Sequence, residues 1–166
     1  MPLALAVALT LLAFPGHHAD HRPAHRDTHG RAGAWSWRIR TDRFTGEISC
    51  RLTANDVSYD RRALTFRLGD GVDTNAAMIR IDGGPVRPAH AADMQLAALG
   101  VRLENDSLGN PSGGLVHIPE ANLDVEAGRV DIRATAHSRI RRFRVDGFRA
   151  AFDAATAAGC QPDRFY

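Results

Sequence analysis

Residues 35–53 read WSWRIRTDRFTGEISCRLT, and this stretch decides the fold class. Trp35, Trp37 and Ile39 fall on one parity, with Ser36, Arg38 and Arg40 on the other. Ile48, Cys50 and Leu52 then alternate with Ser49, Arg51 and Thr53. Side chains on a strand point to opposite faces with a period of two, so each run has one apolar and one wet face. That is the pattern of half-buried antiparallel strands.

The pattern recurs along the chain. Leu64, Phe66 and Leu68 alternate with Thr65 and Arg67. Ala77, Ile79 and Ile81 alternate with Met78, Arg80 and Asp82. Val130, Ile132 and Ala134 share a face, as do Phe143 and Val145, with Arg142 and Arg144 opposite. Ile140 is out of phase with Phe143, which predicts a bulge or a strand start between them. LGVRLE and GLVHIP are shorter strand candidates. The connections NDVSYDRR, GDGVDTN and DGGPVRP carry the Gly, Asn, Asp and Pro that turns require.

Two segments read as helices. Pro88 to Leu99 is rich in Ala and Leu and is followed by Gly100. The second spans 146–158, with Asp146 as its expected N-cap and Gly159 as its end. Phe148, Ala151, Phe152 and Ala155 lie on one helical face and predict docking on the core. The expected fold is mainly β: an antiparallel sandwich or partly closed barrel with one or two packed helices.

The chain has 166 residues and divides into three parts. Leu3 to Phe14 is an unbroken apolar run, the right size for a secretory leader and too short to span a bilayer. Residues 1–16 are therefore expected to be a signal peptide, which places the protein in the periplasm or outside the cell, with no transmembrane segment in the mature form. Residues 17–34, rich in His, Arg and Pro, offer little apolar surface to bury and are expected to be a disordered linker. Residues 35–166 form the single β-rich domain. All 21 basic residues are Arg, and the formal net charge of +2 gives no argument for nucleic-acid binding.

The two cysteines follow from this frame. Cys50 shares a face with Ile48 and Leu52 and points inward, and Cys160 follows the docked helix. An even pair in an exported chain predicts a Cys50–Cys160 disulfide.

The order of these features resembles the invasion-associated locus B family of exported bacterial proteins. The resemblance rests on Trp35 and Trp37 soon after the leader, the Cys50 strand, MIRIDGGP at 78–85 and FRVDGFRAAFDAA at 143–155. It covers about a third of the chain. That family's additional central cysteines are missing, and residues 100–128 have no counterpart in it. The resemblance implies a periplasmic or surface β-rich domain without established catalytic residues.

Chemistry-bearing residues are few. Ser58, Ser112 and Ser138 lack the elbow motif of a hydrolase nucleophile. His90, His117 and His137 are isolated, and His117 alone sits in an apolar run. Asp70 with Asp73, and Glu104 with Asp106, occupy turn-like segments. His17, His18, His21, His25 and His29 cluster in the linker and carry the donor atoms of a Zn, Ni or Cu site, though Pro23 interrupts any helical spacing. HSRIRRFR at 137–144 sets Arg142 and Arg144 on one face, which reads either as an exposed strand face paired with acids such as Asp131 on a neighbour, or an edge guarded against aggregation, or as a candidate binding stripe for an anionic surface ligand or an envelope partner. A non-enzymatic envelope protein that binds or stabilises is the favoured function, with no cofactor. The alternatives are a periplasmic hydrolase using loop acids or His117, and a metal-binding protein using the linker histidines.

Overall fold

The computed structural model describes residues 27–60, 62–90, 94, 95, 98, 113–123 and 127–165. Ten strands form two antiparallel sheets among these residues. The strands are β1 (Thr28–Ala32), β2 (Trp35–Thr41), β3 (Ile48–Ala54), β4 (Val57–Asp60), β5 (Ala63–Arg67), β6 (Met78–Ile81), β7 (Arg87–Pro88), β8 (Leu115–Pro119), β9 (Arg129–Arg133) and β10 (Arg141–Arg144). One helix, α1 (Phe148–Ala157), follows β10. The larger sheet has the order β1-β2-β3-β4-β5-β8, and the smaller β10-β9-β6-β7. Neither sheet closes on itself, so the arrangement is sandwich-like rather than a barrel.

The apolar parity read from the sequence is the buried parity. Trp35, Leu52, Phe66, Ile132 and Val130 are all buried, while Arg38, Arg51 and Arg67 on the opposite parity are exposed. The two sheets meet where the Phe66 ring of β5 packs edge-on against Phe143 of β10, centroids 5.2 Å apart. A second aromatic cluster ties α1 to the larger sheet. Phe148 lies 5.2 Å from Trp35 and 5.0 Å from Tyr59, and Phe165 lies 5.1 Å from both Tyr59 and Phe152. The Cys50–Cys160 disulfide closes over this cluster, with the Cα atoms 6.0 Å apart.

Three strands differ from the sequence reading, β7 among them, since it falls in the expected connection DGGPVRP. The expected linker ends earlier than residue 34, because Thr28–Ala32 pairs with β2 as a full edge strand. Its inward position is Gly30, opposite Trp37 in register. A Cβ there would lie 2.2 Å from the Trp37 ring, so the indole fills the space a side chain would take. NDVSYDRR, expected as a connection, contains β4, whose Val57 and Tyr59 are buried. The turn before it needs only Asn55 and Asp56, and Asn55 adopts φ +50°, a left-handed conformation that Asn tolerates.

The C-terminal helix is present at Phe148–Ala157, with Phe148, Ala151 and Ala155 buried. Its N-cap is Gly147 at φ +80°, not Asp146. The Asp146 carboxylate accepts bonds from the Arg144 guanidinium at 3.1 and 3.3 Å and makes no cap. Gly159 at φ +108° ends the helix as expected. Arg87–Pro88 is a short strand, so the helix expected over Pro88–Leu99 begins later than Pro88, and its described residues His90, Met94, Gln95 and Ala98 are helical. Most of the remainder of that expected helix lies outside the described residues, as do LGVRLE and residues 1–16.

Candidate functional site: the arginine face of the smaller sheet

The outward face of the smaller sheet is built by alternation on three neighbouring strands. On β9, Arg129, Asp131 and Arg133 point away from the core, between inward Val130 and Ile132. Register sets Asp131 opposite both Arg80 of β6 and Arg142 of β10. Arg129 stands opposite Arg144, and Arg133 opposite Met78. Three strands thus place five arginines around one acid.

That acid is buried. Asp131 is 3% exposed although it lies on the outward face, because the surrounding guanidiniums roof it. Arg80 donates to its Oδ2 at 2.7 Å, while the Nε atoms of Arg129 and Arg142 stand 3.4 and 3.7 Å from Oδ1. A buried carboxylate needs such partners, since desolvating it alone is costly. The arginines keep their outer faces in water: Arg80 is 36% exposed, Arg129 47% and Arg142 71%. One negative charge orients three positive ones, and the cluster retains a surplus of positive charge. Arg133 adds to it, whereas Arg144 is paired with Asp146.

Beside the cluster is an open groove of about 160 Å³ lined by Met78, Arg80, Val86, Asp131, Arg133 and Ile140. Val86 and Ile140 are 56% and 51% exposed, so this wall is apolar and accessible. Ile140 precedes the first residue of β10, and the strand start expected between Ile140 and Phe143 falls there. A groove with guanidiniums on one side and aliphatic carbons on the other suits a ligand carrying an anionic group next to an apolar one.

The other sequence-derived candidates lie elsewhere. His117 sits on β8 of the larger sheet, 3% exposed, with Nδ1 2.9 Å from the Thr65 hydroxyl across the β5 register. It is a hydrogen-bonded interior histidine and does not join Arg142 and Arg144. His29 is on β1, whereas His17, His18, His21 and His25 lie outside the described residues. No cluster of three or more metal-ligating side chains occurs among the described residues. Asp70 is paired with Arg67, and Asp73 accepts the Asn75 backbone N–H, so both serve their own turns. Glu104, Asp106 and Ser112 lie outside the described residues.

A hydroxyl–carboxylate pair borders the aromatic cluster. The Tyr59 hydroxyl donates to Glu120 Oε2 at 2.7 Å. Burial, then that bond and the Glu120 charge, push the Tyr59 phenol well above its ordinary range. The pair joins β4 to the turn after β8 and is structural.

No family model, curated protein or solved structure matches this chain. No helix among the described residues is long and apolar enough to cross a membrane.

Proposed function

We propose that this chain is an exported binding protein of the bacterial envelope, without catalysis of its own, whose smaller sheet holds an anionic ligand. The observation that carries the reading is the buried Asp131, which accepts a hydrogen bond from Arg80 and has Arg129 and Arg142 within ion-pair distance, while all three guanidiniums keep outer faces in water. An acid buried beneath arginines relieves their repulsion and so stabilises the sheet, and by the same contacts it keeps the guanidiniums side by side. Arg142 and Arg144 remain the most accessible members of the face.

Export is supported by the apolar run at 3–14, by the disulfide and by the resemblance to the invasion-associated locus B family. The disulfide links two buried positions and so serves the fold in an oxidising compartment.

The test is retention on an immobilised sulfated polysaccharide, with neutral dextran as the control. The parent chain is expected to bind the sulfated matrix at low ionic strength and to elute as salt rises. The double variant Arg142→Gln/Arg144→Gln should elute at markedly lower salt with an unchanged melting temperature, since both side chains are mostly solvent-exposed. Equal elution of parent and variant would exclude this face as the anion site.

A further inference from the structure

The loop joining β2 to β3, Asp42–Glu47, carries Phe44 at its apex, 98% exposed. A phenyl ring in water is not unusual by itself. What distinguishes this one is how firmly its backbone is held. Asp42 Oδ1 accepts the Phe44 N–H at 2.8 Å, the Thr45 N–H at 2.7 Å and the Thr45 hydroxyl at 3.1 Å. Those bonds, the Thr45 N–H foremost, hold the Asp42 carboxyl below the usual carboxylate range. The Asp42 N–H donates to Glu47 O at 2.8 Å, and the Gly46 N–H to Asp42 O at 2.9 Å, with Gly46 at φ +72°. Arg164 then holds the Glu47 side chain at 2.8 Å. The ring therefore projects from an ordered turn, and docking it costs little conformational entropy.

The charges beside the loop point to what it meets. Arg38 and Arg51 stand opposite each other on the outward face of β2 and β3, and Arg40 lies next along β2. Arg43 flanks Phe44 directly. Among the described residues, Arg40, Arg43 and Arg51 form no ion pair, whereas the two loop acids are both engaged, Asp42 by N–H groups and Glu47 by Arg164. Ile48, at the base of the loop, adds a further 36% exposed apolar side chain. A convex aromatic flanked by Arg43, with Arg40 and Arg51 along the strands that lead into its loop, matches the layering of an anionic bilayer, in which acyl carbon lies just beneath phosphate.

We infer that the Asp42–Glu47 loop is an interfacial anchor that inserts Phe44 into an anionic lipid surface while Arg40, Arg43 and Arg51 engage the phosphates. The envelope location proposed above puts such a surface within reach. The anchor itself is separate from the arginine face of the smaller sheet and can fail or stand without it.

The experiment is sedimentation of the oxidised full chain with vesicles of phosphatidylcholine alone and of equimolar phosphatidylcholine and phosphatidylglycerol. Parent and variants carry the same N-terminal apolar run, so they are compared with one another on the chain from which residues 1–16 have been removed as well as on the full chain. Phe44→Ala should weaken binding to the anionic vesicles by about tenfold or more, the expected worth of burying one phenyl ring. Arg40→Gln/Arg43→Gln should weaken binding to anionic vesicles and leave binding to neutral ones unchanged. Phe44→Trp should retain binding and show a blue-shifted emission on adding vesicles, beyond any shift in the parent. None of these changes should move the melting temperature, because the side chains are exposed. Equal binding of Phe44→Ala and parent would overturn the inference. So would loss of vesicle binding through Arg142→Gln/Arg144→Gln with Phe44→Ala unaffected, which would move the contact to the smaller sheet.

Discussion

Opening the Cys50–Cys160 bond tests how the C-terminal segment is attached. The two residues are separated by 110 positions, and both are buried. In the chain-entropy treatment, a loop of about 110 residues stabilises by about 4.8 kcal/mol through its effect on the unfolded chain. Measured losses for native disulfides fall at roughly 2–5 kcal/mol. A domain of this size loses about 2–4 °C per kcal/mol, so reduction should lower the melting temperature by about 10–20 °C. The reduced protein should remain folded at room temperature. Phe148 and Phe165 still pack against Tyr59, and burying each ring contributes about 1.5–3 kcal/mol. The loosening should be local, because Cys160 and the Arg164–Glu47 pair are the covalent and ionic ties beyond the end of α1. The assay is urea unfolding with and without reductant, with free thiols counted at each point, alongside amide exchange of the folded reduced protein. Exchange should accelerate in Phe148–Ala157 before it does in β3–β5. Identical urea midpoints with the thiols demonstrably free would refute the entropic argument. Uniform acceleration across the sheet would refute the local one.

Three further outcomes follow from particular contacts. Asp131→Asn removes the charge that organises three arginines, and should cost about 1–3 kcal/mol in urea midpoint, less than a fully buried pair because the guanidiniums reach water. It should also weaken anion binding despite adding net positive charge; stronger binding would show that charge alone, not its arrangement, matters. Gly30→Ala forces a methyl into the Trp37 ring and should destabilise by about 1–3 kcal/mol with a red shift in tryptophan emission. Tyr59 has a raised folded-state pKa, so above the ordinary tyrosine value near pH 10 the unfolded chain loses a proton that the folded chain keeps. Stability should then fall as pH rises past about 10, and Tyr59→Phe should flatten that fall, measured as urea midpoint against pH.

Most of the larger sheet was legible because its strands alternate cleanly, and burial enforces that alternation. Two of its strands were hidden for different physical reasons. THGRA in β1 has no apolar alternation, since its inward place is filled by an indole from the next strand. β4 is only Val57–Asp60, wedged between two-residue turns, so turn residues dominate any window around it. The Asp146 cap was a sound expectation from propensity that a nearby guanidinium overrode. The arginine face of the smaller sheet was half visible. Arg142 and Arg144 could be placed on one side of a strand from the sequence. Asp131 could be expected beside them on a neighbouring strand, and the register places it opposite Arg142, but Arg80 could not be joined, because that needs the order β10-β9-β6, and β6 lies some fifty residues before β9. His117 stood out as a lone histidine in an apolar run, yet alternation alone cannot tell an interior histidine from one that lines a pocket.

A formal net charge of +2 understates what this surface offers to a ligand. Many of its acids are engaged within the fold. Asp56 is paired with Arg141, Asp70 with Arg67, Asp153 with Arg149 and Asp146 with Arg144. Asp82 accepts the N–H groups of Gly128 and Arg129. Asp42 accepts several donors of its own loop, and Asp131 accepts one hydrogen bond from Arg80 with Arg129 and Arg142 at ion-pair distance. Surface pairs of this kind contribute little stability individually. Their larger effect is to remove carboxylates from competition with an incoming anion. Arg40, Arg43, Arg51 and Arg133 are left without an ion pair among the described residues, and Arg142 shares its acid with two others. They lie on the outward faces of the two sheets or in the loop between β2 and β3. Screening acts on such exposed charges over about 8 Å at physiological ionic strength. Anion binding by either face should therefore follow the local count of free guanidiniums rather than the charge of the whole chain. A variant that adds an acid next to Arg133 should weaken it far more than one that adds the same acid beside Arg67.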